Sequence, residues 1–413
     1  MFLGRGNLSI IGSTGSLGSK VFESALSVKR RITALAGGEN IKELLSQIRK
    51  ARPHFVSVGR EEKAGELKRA LLDSFPREDF PEIGFGGEGI KRAAELGDYL
   101  AVTTNGLVGV CECEDALKRG AVLLLGSKEI AVVAGVVLRH AATAGGGDII
   151  PLDSELTAVV QLLKGRDVRD LDRVVLCASG GPFLGKTEKE LRSVTVADAL
   201  NHPVWSMGNK VSIDSATLFN KAMEIMVAER LLGIPLCKLG VVIHPQSRVH
   251  AFLQMLDGGL LFQSAPADMS WAAGYALKNT KDSLIQQGDL LGGDDGFFDS
   301  VLRDFKEMTF LPVKNGDYSS LDLGWRSLEK GGGFPSLLAG ADQVLVEAFL
   351  GDRISFCDIL RGLEAVFSKA TCSEVVSEES TSLNAMITSW EEGERMAEVW
   401  IANVPVGGGT WRQ

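Results

Sequence analysis

Near its N-terminus the chain reads Leu8-Ser9-Ile10-Ile11-Gly12-Ser13-Thr14-Gly15-Ser16-Leu17-Gly18. Residues 8–11 have the pattern of a short apolar strand, and an amphipathic helix follows the glycines. Glycines in such a turn let the backbone approach a pyrophosphate, and the helix N-terminus offers free N–H groups and positive dipole potential. A strand, a glycine-rich turn and a helix in this order predict a dinucleotide-binding unit.

The region that follows this unit alternates between strands and helices. Short apolar runs predict further strands at residues 32–36, 55–58, 100–104 and 121–125. Residues 84–93 read as a loop that leads into a helix. This alternation predicts a parallel, doubly wound sheet, and the three glycines at 145–147 predict its flexible boundary.

A helix is predicted from Ser127, a good N-cap residue, through Arg139. Lys128 would lie in its first turn, where the helix dipole favours anions. A cation at this position is explained if it faces an anionic or oxygen-rich ligand, and a solvated surface lysine is the alternative.

The bulk composition sets limits on the function. A length of 413 residues predicts two or three domains, and 45% hydrophobic with 23% charged residues is typical of globular proteins. A net charge of −9 argues against broad nucleic-acid binding. No apolar run approaches the roughly 20 residues of a membrane-spanning helix, and residues 1–7 are too short for a signal peptide. We therefore expect a cytoplasmic protein with no membrane partner.

Two carboxylates stand one residue apart in Pro151-Leu152-Asp153-Ser154-Glu155. Strand-like alternation would place Asp153 and Glu155 on one face, with Ser154 on the other. Two carboxylates that close repel each other unless a cation lies between them or one keeps its proton. Magnesium and manganese prefer such oxygen ligands, so a metal site is one interpretation and a solvated strand end is the other.

Further polar residues gather in the middle of the chain. A buried strand at 174–178 ends in Ser179 and two glycines, which either admit a ligand or form a tight turn. Residues 201–208 read as a loop that either closes over a ligand or is anchored by Trp205.

A helix is predicted from Ser212 to Leu232, with Asn220, Lys221 and Glu224 on adjoining faces. An ordinary ion pair on a solvated face is one interpretation. In the other, Glu224 is a third metal carboxylate, and Asn220 and Lys221 bind the anionic end of a substrate. Strands predicted between 241 and 263 form an open sheet whose face or edge could make a dimer contact.

Seven motifs in one order resemble the 1-deoxy-D-xylulose 5-phosphate reductoisomerase family of the non-mevalonate isoprenoid pathway. The resemblance is specific over about residues 8–270 and looser towards the C-terminus. The motifs are the glycine-rich turn, Ser127-Lys128-Glu129, Pro151-Leu152-Asp153-Ser154-Glu155, Ala178-Ser179-Gly180-Gly181-Pro182-Phe183, His202-Pro203-Val204-Trp205-Ser206-Met207-Gly208, Asp214-Ser215-Ala216-Thr217-Leu218-Phe219-Asn220-Lys221-Ala222-Met223-Glu224 and Ile243-His244-Pro245-Gln246-Ser247.

The resemblance implies a Rossmann-like NADP(H) domain at 1–150 and a central α/β catalytic domain with an open sheet at 151–280. It further implies a connection at 281–335 and a C-terminal helical domain at 336–413. The family forms homodimers, acts on a small phosphorylated sugar and uses NADPH with manganese, magnesium or cobalt. Its reaction rearranges the carbon skeleton by a retroaldol/aldol path and then reduces the resulting aldehyde to 2-C-methyl-D-erythritol 4-phosphate.

The resemblance also implies a role for individual residues. The metal ligands are Asp153, Glu155 and Glu224, which together with Lys128 and His202 form the catalytic set. The substrate-binding residues are Lys128, Ser154, Glu155, Ser179, His202, Trp205, Met207, Ser215, Asn220 and Lys221. The cofactor-binding residues are Thr14, Gly15, Ser16, Leu17, Gly38, Glu39, Asn40, Ser127, Glu129 and Gly208.

The chain departs from the family pattern at several positions. The family usually has Asn at Ser127, Ser at Ile130 and a basic or neutral residue at Glu39, while its Asn-Ala-Ala-Asn-Glu motif reads Ala339-Gly340-Ala341-Asp342-Gln343 here. The departures at Ser127, Ile130 and Glu39 motivate one alternative, a paralogous NADP(H)-dependent oxidoreductase for a different phosphorylated substrate. A dinucleotide-binding sensor without catalysis is a further alternative from another class.

Overall fold

The computed structural model describes residues 6–73, 75–76, 79–278, 305, 307–313, 319–371 and 382–404. They divide into two compact units, each made of separate stretches of chain. The first unit takes residues up to 127 together with those within 138–160 and 268–306, and the second takes those within 128–137, 161–267 and 307–413. The domain limits inferred from the sequence stay a prediction.

The first unit contains a parallel sheet with the strand order β4-β3-β2-β1-β5-β6-β7. Its strands are β1 Leu8–Ile11, β2 Ile32–Ala36, β3 Phe55–Val58, β4 Glu82–Phe85, β5 Tyr99–Val102, β6 Val122–Leu125 and β7 Asp148–Pro151. Helices follow the strands, as the right-handed crossovers of a parallel sheet require. Because β1 lies between β2 and β5, the strand order reverses at β1, and this reversal opens a crevice at the carboxyl edge of the sheet.

Among the described residues, the α-helices have the following bounds in chain order. They are α1 Ser16–Ser27, α2 Ile41–Ala51, α3 Glu61–Leu72, α4 Gly86–Glu95, α5 Val110–Lys118, α6 Lys128–Gly145, α7 Ser154–Leu163, α8 Glu188–Leu191, α9 Val196–Leu200, α10 Asn209–Ala216, α11 Phe219–Arg230, α12 Ser270–Lys278, α13 Ser319–Lys330, α14 Phe334–Leu350, α15 Phe356–Ala370 and α16 Leu383–Ala402.

The core of the first unit forms where the apolar face of each helix meets the sheet. Leu8 and Ile10 of β1 are completely buried and belong to one cluster with Val21, Phe22 and Ala25 of α1. Those three helical residues recur at the spacing of one helix face, which is why α1 packs with that side inwards. The packing fixes the glycine-rich turn between β1 and α1.

Two sequence predictions for the first unit were wrong in detail. The segment predicted as a loop at 84–93 contains the end of β4 and most of α4. Strand β4 lies at the edge of the sheet and is only partly buried, so its sequence lacks a strong apolar signal. Helix α6 continues beyond Arg139 to Gly145, because the added turns contain good helix formers such as Ala141.

The second unit contains a mixed sheet with the strand order β11-β10-β8-β9-β12. Its strands are β8 Leu171–Ala178, β9 Leu239–Ile243, β10 Val249–Met255, β11 Leu260–Ser264 and β12 Leu311–Pro312. Strands β8 and β9 run parallel, whereas the other pairings are antiparallel. Helices α14, α15 and α16 confirm the helical region predicted towards the C-terminus.

The single helix predicted from Ser212 to Leu232 is divided into α10 and α11. Leu218 has φ +62°, in the left-handed region, and therefore interrupts the helix. The Thr217 hydroxyl accepts a hydrogen bond from the Phe219 N–H at 3.3 Å, which offers the backbone a local alternative to the helical bond.

Helix α13 lies within the connection that the resemblance implies at 281–335. Residues 281–304 of that connection lie outside the described residues. The predicted fold class is confirmed: a parallel Rossmann-like sheet, a second open sheet and a helical C-terminal region. Within the described part of the chain, no helix is both long enough and apolar enough to cross a membrane.

Candidate active site

The glycine-rich turn packs too closely for side chains at two positions. Gly12 has φ +84°, and a Cβ atom there would lie 2.9 Å from the backbone carbonyl carbon of Thr103, which follows β5. A Cβ atom on Gly18 would lie 2.1 Å from the carbonyl oxygen of Gly12. The backbone of the turn is thereby held against the start of α1, at the switch point of the sheet where doubly wound folds bind dinucleotides.

The predicted cofactor residues of the first unit fall into three segments. Thr14, Gly15, Ser16 and Leu17 form the turn and the start of α1, and all are exposed or half-buried. The second segment, Gly38-Glu39-Asn40, follows β2 and is exposed, and Asn40 accepts a hydrogen bond from the Glu43 N–H as the N-cap of α2. Ser127 is buried and donates its hydroxyl to the carbonyl oxygen of Gly106 at 3.0 Å.

Asp153 and Glu155 come together through a helix start and not through a strand. Strand β7 ends at Pro151 and α7 begins at Ser154, so the predicted strand-like alternation was wrong. Asp153 accepts the Leu156 N–H at 2.9 Å, which is N-cap geometry. Carboxylate oxygens of Asp153 and Glu155 lie within 4.8 Å of each other, and the Ser154 hydroxyl donates to Glu155 at 2.6 Å. The pair stands at the carboxyl edge of the parallel sheet.

In the second unit, four predicted residues form one hydrogen-bonded network around Glu224. The completely buried Glu224 carboxylate accepts bonds from Lys128 Nζ at 2.8 Å and from Asn220 Nδ2 at 2.6 Å, and it also pairs with Lys221. Lys128 Nζ additionally donates to Asn220 Oδ1 at 2.6 Å. Lys128 lies in the first turn of α6, whereas Asn220, Lys221 and Glu224 lie in the first two turns of α11. Two ammonium groups around one carboxylate are the kind of donors that a phosphate ester also takes.

His202 and Ser179 are hydrogen-bonded to each other at 3.0 Å. His202 Nδ1 accepts the N–H groups of Val204 and Trp205 at 3.1 and 2.9 Å, so the neutral ring carries its proton on Nε2 and donates it to Ser179 Oγ. Burial lowers the pKa of His202 below its usual value, which favours this neutral form. Ser179 Oγ also accepts the Gly181 N–H at 3.2 Å, so the serine keeps its own proton for a substrate oxygen.

The predicted loop at 201–208 runs between the end of α9 at Leu200 and the start of α10 at Asn209. The rings of Trp205 and His250 meet edge to face with centroids 6.0 Å apart, so the loop is anchored on β10. Met207 is half-buried, and the exposed Gly208 is the N-cap residue of α10.

Ser215 lies close to the Ser179 segment. It is in the last turn of α10, and a Cβ atom on Gly181 would come within 2.6 Å of its carbonyl oxygen. Gly181 has φ +68°, so both its backbone conformation and this close approach require glycine. The second unit thus brings Ser179, His202 and Ser215 into one neighbourhood.

A buried ionic cluster, not predicted from the sequence, is formed by Lys210, Asp214, Asp342 and Glu129. Lys210 Nζ lies 2.7 Å from Asp214 Oδ2, 2.7 Å from Asp342 Oδ2 and 3.6 Å from Glu129 Oε1. Each member is at most 8% exposed at its side chain. The i,i+4 spacing of Lys210 and Asp214 on one helix was the available signal. We call these four residues the Lys210 cluster.

The Lys210 cluster holds three carboxylates around one ammonium group. Burial, followed by the like charge of Asp342, raises the pKa of Asp214 well above its ordinary value, and burial also raises the pKa of Asp342. Although burial opposes it, the neighbouring carboxylates raise the pKa of Lys210. Asp214 Oδ1 and Asp342 Oδ1 accept no hydrogen bond within the described residues. The cluster therefore favours a proton on its aspartates while Lys210 stays charged.

Three protein-family models match the chain in succession. A model described as 1-deoxy-D-xylulose 5-phosphate reductoisomerase matches residues 8–135. Models for the 1-deoxy-D-xylulose 5-phosphate reductoisomerase C-terminal domain and the DXP reductoisomerase C-terminal domain match residues 149–232 and 265–392.

Curated relatives and solved structures point to the same family as these three models. A 1-deoxy-D-xylulose 5-phosphate reductoisomerase from Caldanaerobacter subterraneus subsp. tengcongensis is 36% identical over 363 residues, which cover 86% of this chain and 90% of the relative. One from Chlorobium phaeobacteroides is 38% identical over 363 residues, covering 86% and 89%. The Zymomonas mobilis enzyme in complex with NADPH superposes with a TM-score of 0.82 at 27% identity, covering 96% of this chain and 99% of the other. A DOX-P reductoisomerase in complex with NADPH, fosmidomycin and magnesium gives 0.85 at 28% identity, covering 96% and 98%.

Proposed function

Because the chain belongs to the 1-deoxy-D-xylulose 5-phosphate reductoisomerase family, we propose that the side chains described above are its active site. The chain is an NADPH-dependent enzyme that rearranges and reduces 1-deoxy-D-xylulose 5-phosphate to 2-C-methyl-D-erythritol 4-phosphate with a divalent metal. The observation that carries this function is the succession of family models along most of the chain.

Asp153, Glu155 and Glu224 are the proposed metal ligands. The adjacent carboxylates of Asp153 and Glu155 and the buried carboxylate of Glu224 are hard oxygen donors, which suit Mg²⁺, Mn²⁺ or Co²⁺. When bound, such an ion supplies Lewis acidity and fixes the geometry of the substrate oxygens.

Lys128, Asn220 and Lys221 are proposed to bind the anionic groups of the substrate. The ammonium group of Lys128 lies within this network, where its positive charge can stabilise negative charge that develops on a substrate oxygen. Asn220 and Lys221 hold the phosphate together with the hydroxyls of Ser179 and Ser215, and Ser154 contributes a further hydroxyl. The proton that Ser179 retains while accepting from His202 supports this assignment.

His202, Trp205 and Met207 are proposed to form the cover of the substrate. His202 Nδ1 accepts the N–H groups of Val204 and Trp205, which orders the loop, and His202 Nε2 is hydrogen-bonded to Ser179. Closure of apolar side chains over the substrate would exclude water from the reaction.

The proposed cofactor site is formed by the glycine-rich turn and the segment after β2. When bound, NADPH supplies the hydride, and the turn's backbone N–H groups at the start of α1 would hold its pyrophosphate. The residues assigned to this site are Thr14, Gly15, Ser16, Leu17, Gly38, Glu39, Asn40, Ser127, Glu129 and Gly208.

We further propose the domain organisation of the family: cofactor binding at 1–150, catalysis at 151–280, a connection at 281–335 and a helical domain at 336–413. A homodimer is proposed because apolar side chains are exposed on the second sheet. A cytoplasmic location is proposed because the described cysteines form no disulfide with one another, which suits a reducing compartment.

Substitution of Glu224 by Gln tests the metal assignment. The amide keeps the volume and an oxygen but removes the charge that attracts a divalent ion and pairs with Lys128 and Lys221. We expect metal-dependent NADPH oxidation with 1-deoxy-D-xylulose 5-phosphate to fall at least about a hundredfold. Calorimetric titration with Mn²⁺ should show weakened binding.

Glu229→Gln is the matched control, since it makes the same change on the same helix, α11, at a position outside the proposed site. Activity and manganese binding of this variant should match the wild type. Near-wild-type turnover of Glu224→Gln would refute the assignment of Glu224.

A further inference from the structure

Glu39, in the segment after β2, forms an ion pair with a residue from the next strand's loop. Arg60 Nη2 lies 3.0 Å from Glu39 Oε2, and Lys63 Nζ lies 3.9 Å from the same oxygen. Arg60 is the residue before α3, and Lys63 lies in the first turn of that helix. The Glu39 and Arg60 side chains are 57% and 62% exposed, so both can reach a ligand from solvent.

The two loops that carry this ion pair are fixed to each other by the backbone. The Gly37 N–H donates to the Ser57 carbonyl at 2.9 Å, and the Gly59 N–H donates to the Gly38 carbonyl at 3.1 Å. These bonds continue the parallel ladder between β2 and β3 past the ends of both strands. Arg60 is therefore held beside Glu39 by the sheet itself.

The ion pair stands at the edge of the proposed cofactor crevice. A Cβ atom on Gly37 would lie 3.0 Å from Thr14 Cγ2, so the segment after β2 starts in contact with the glycine-rich turn. In doubly wound folds the adenosine ribose lies over the end of this second strand. Its 2′ position would then face the residues that follow β2 and β3.

The chemistry at the 2′ position distinguishes the two nicotinamide cofactors. An acidic side chain accepts a hydrogen bond from the 2′-hydroxyl of NADH, whereas an arginine accommodates the 2′-phosphate of NADPH. We propose that Arg60 binds the 2′-phosphate of NADPH and that Glu39 opposes it, so that this ion pair sets the cofactor selectivity of the chain. The inference rests on the proposed cofactor site and adds a residue that lies outside the family's motif segments.

Both partners contribute to the selectivity in opposite directions. The Glu39 carboxylate repels a 2′-phosphate and competes for Arg60, but it can accept the 2′-hydroxyl of NADH. Lys63 also pairs with Glu66 at 2.8 Å, so it adds positive charge beside Arg60 without being committed to Glu39 alone. The chain consequently uses NADPH with a smaller advantage over NADH than a basic residue at position 39 would give.

The test measures binding of NADPH and NADH to the full chain by the fluorescence of the reduced nicotinamide, together with kcat/KM for each cofactor. Arg60→Gln should weaken NADPH binding about tenfold or more and leave NADH binding within about twofold. Glu39→Gln should strengthen NADPH binding and weaken NADH binding, each by a few-fold. Arg92→Gln, which breaks the exposed pair with Glu95 on α4, is the matched control and should leave both cofactors unchanged.

Equal effects of Arg60→Gln on both cofactors, or no effect on either, would overturn the inference. The NADPH advantage should also shrink as salt is added, because the exposed charges are screened. If the expected discrimination is measured but no turnover occurs, the inference holds and the proposed reaction fails. If wild-type chain binds neither dinucleotide, both fail together.

Discussion

At the scale of single residues, Gly18 shows how tightly the cofactor turn depends on backbone contact. A Cβ atom at this position would lie 2.1 Å from the Gly12 carbonyl oxygen, which belongs to the backbone and cannot rotate away. We expect Gly18→Ala to destabilise the chain by about 1–3 kcal/mol and to weaken NADPH binding at least about tenfold. Thermal unfolding and fluorescence titration with NADPH measure the two effects.

Gly65→Ala is the control for that change in the same unit. A Cβ atom on Gly65 meets no atom within 4 Å, and the residue lies inside α3. The substitution should raise stability by about 0.4–1 kcal/mol and leave NADPH binding unchanged, because alanine favours the helix. An NADPH affinity for Gly18→Ala equal to that of Gly65→Ala would contradict the close-contact argument.

At the scale of secondary structure elements, the Lys210 cluster joins the first turn of α6 to α10 and α14. Asp214 has a pKa raised by burial and by Asp342, so the folded cluster binds a proton more tightly than the unfolded chain does. The stability from this proton is complete at pH below the ordinary carboxyl pKa, and it is lost as pH rises through the raised pKa. The wild type should therefore lose part of its stability on the alkaline side of the ordinary carboxyl range.

Asp342→Asn tests this pH dependence, and it restores the residue that the family usually has. Removing the like charge lowers the pKa of Asp214, and each unit of pKa corresponds to about 1.4 kcal/mol. As pH rises above the ordinary carboxyl range, the free energy of unfolding should fall less in the variant than in the wild type. Denaturant unfolding over that rise in pH is the measurement, with the exposed Asp352→Asn as the control. If the free energy of unfolding depends on pH in the same way for wild type and Asp342→Asn, then the effect of Asp342 on the proton of Asp214 is rejected.

The boundaries of the strands and helices also show where sequence patterns are sufficient to predict secondary structure. The strand, turn and helix around Gly12 could be predicted because apolar periodicity and glycine act within a few residues. The break in the helix at Leu218 could not be predicted, because it depends on a contact of the Thr217 hydroxyl and on a left-handed conformation that is rare for leucine. The approach of Asp153 and Glu155 was predicted from strand-like alternation, whereas it follows from the start of α7, where Asp153 accepts the Leu156 N–H.

At the scale of the whole molecule, sequence spacing does not reveal which distant residues meet. Lys128 and Glu224 are hydrogen-bonded, although 96 positions separate them, and only the motif order of a family suggested that they act together. Arg60 belongs to no motif used in the sequence analysis, and Asp342 entered there only as part of a departure from a family motif. Their partners, Glu39 and Lys210, became identifiable only when the strands and helices were placed side by side.

The proposed homodimer is tested on the exposed apolar side of the second sheet. Leu260 and Phe262 on the edge strand β11 are 60% and 46% exposed, and Phe262 packs near Phe252 with ring centroids 6.0 Å apart. Exposed aromatic and aliphatic groups on an edge strand favour pairing with a second copy, since association removes apolar surface from water. Analytical ultracentrifugation should therefore give twice the chain mass of 44.2 kDa for the wild type.

The double substitution Leu260→Lys and Phe262→Lys should give a single chain mass, because charge opposes burial of this strand. Val399→Lys, at an exposed apolar residue of α16, should leave the dimer intact, and a wild type that sediments as one chain would refute the homodimer.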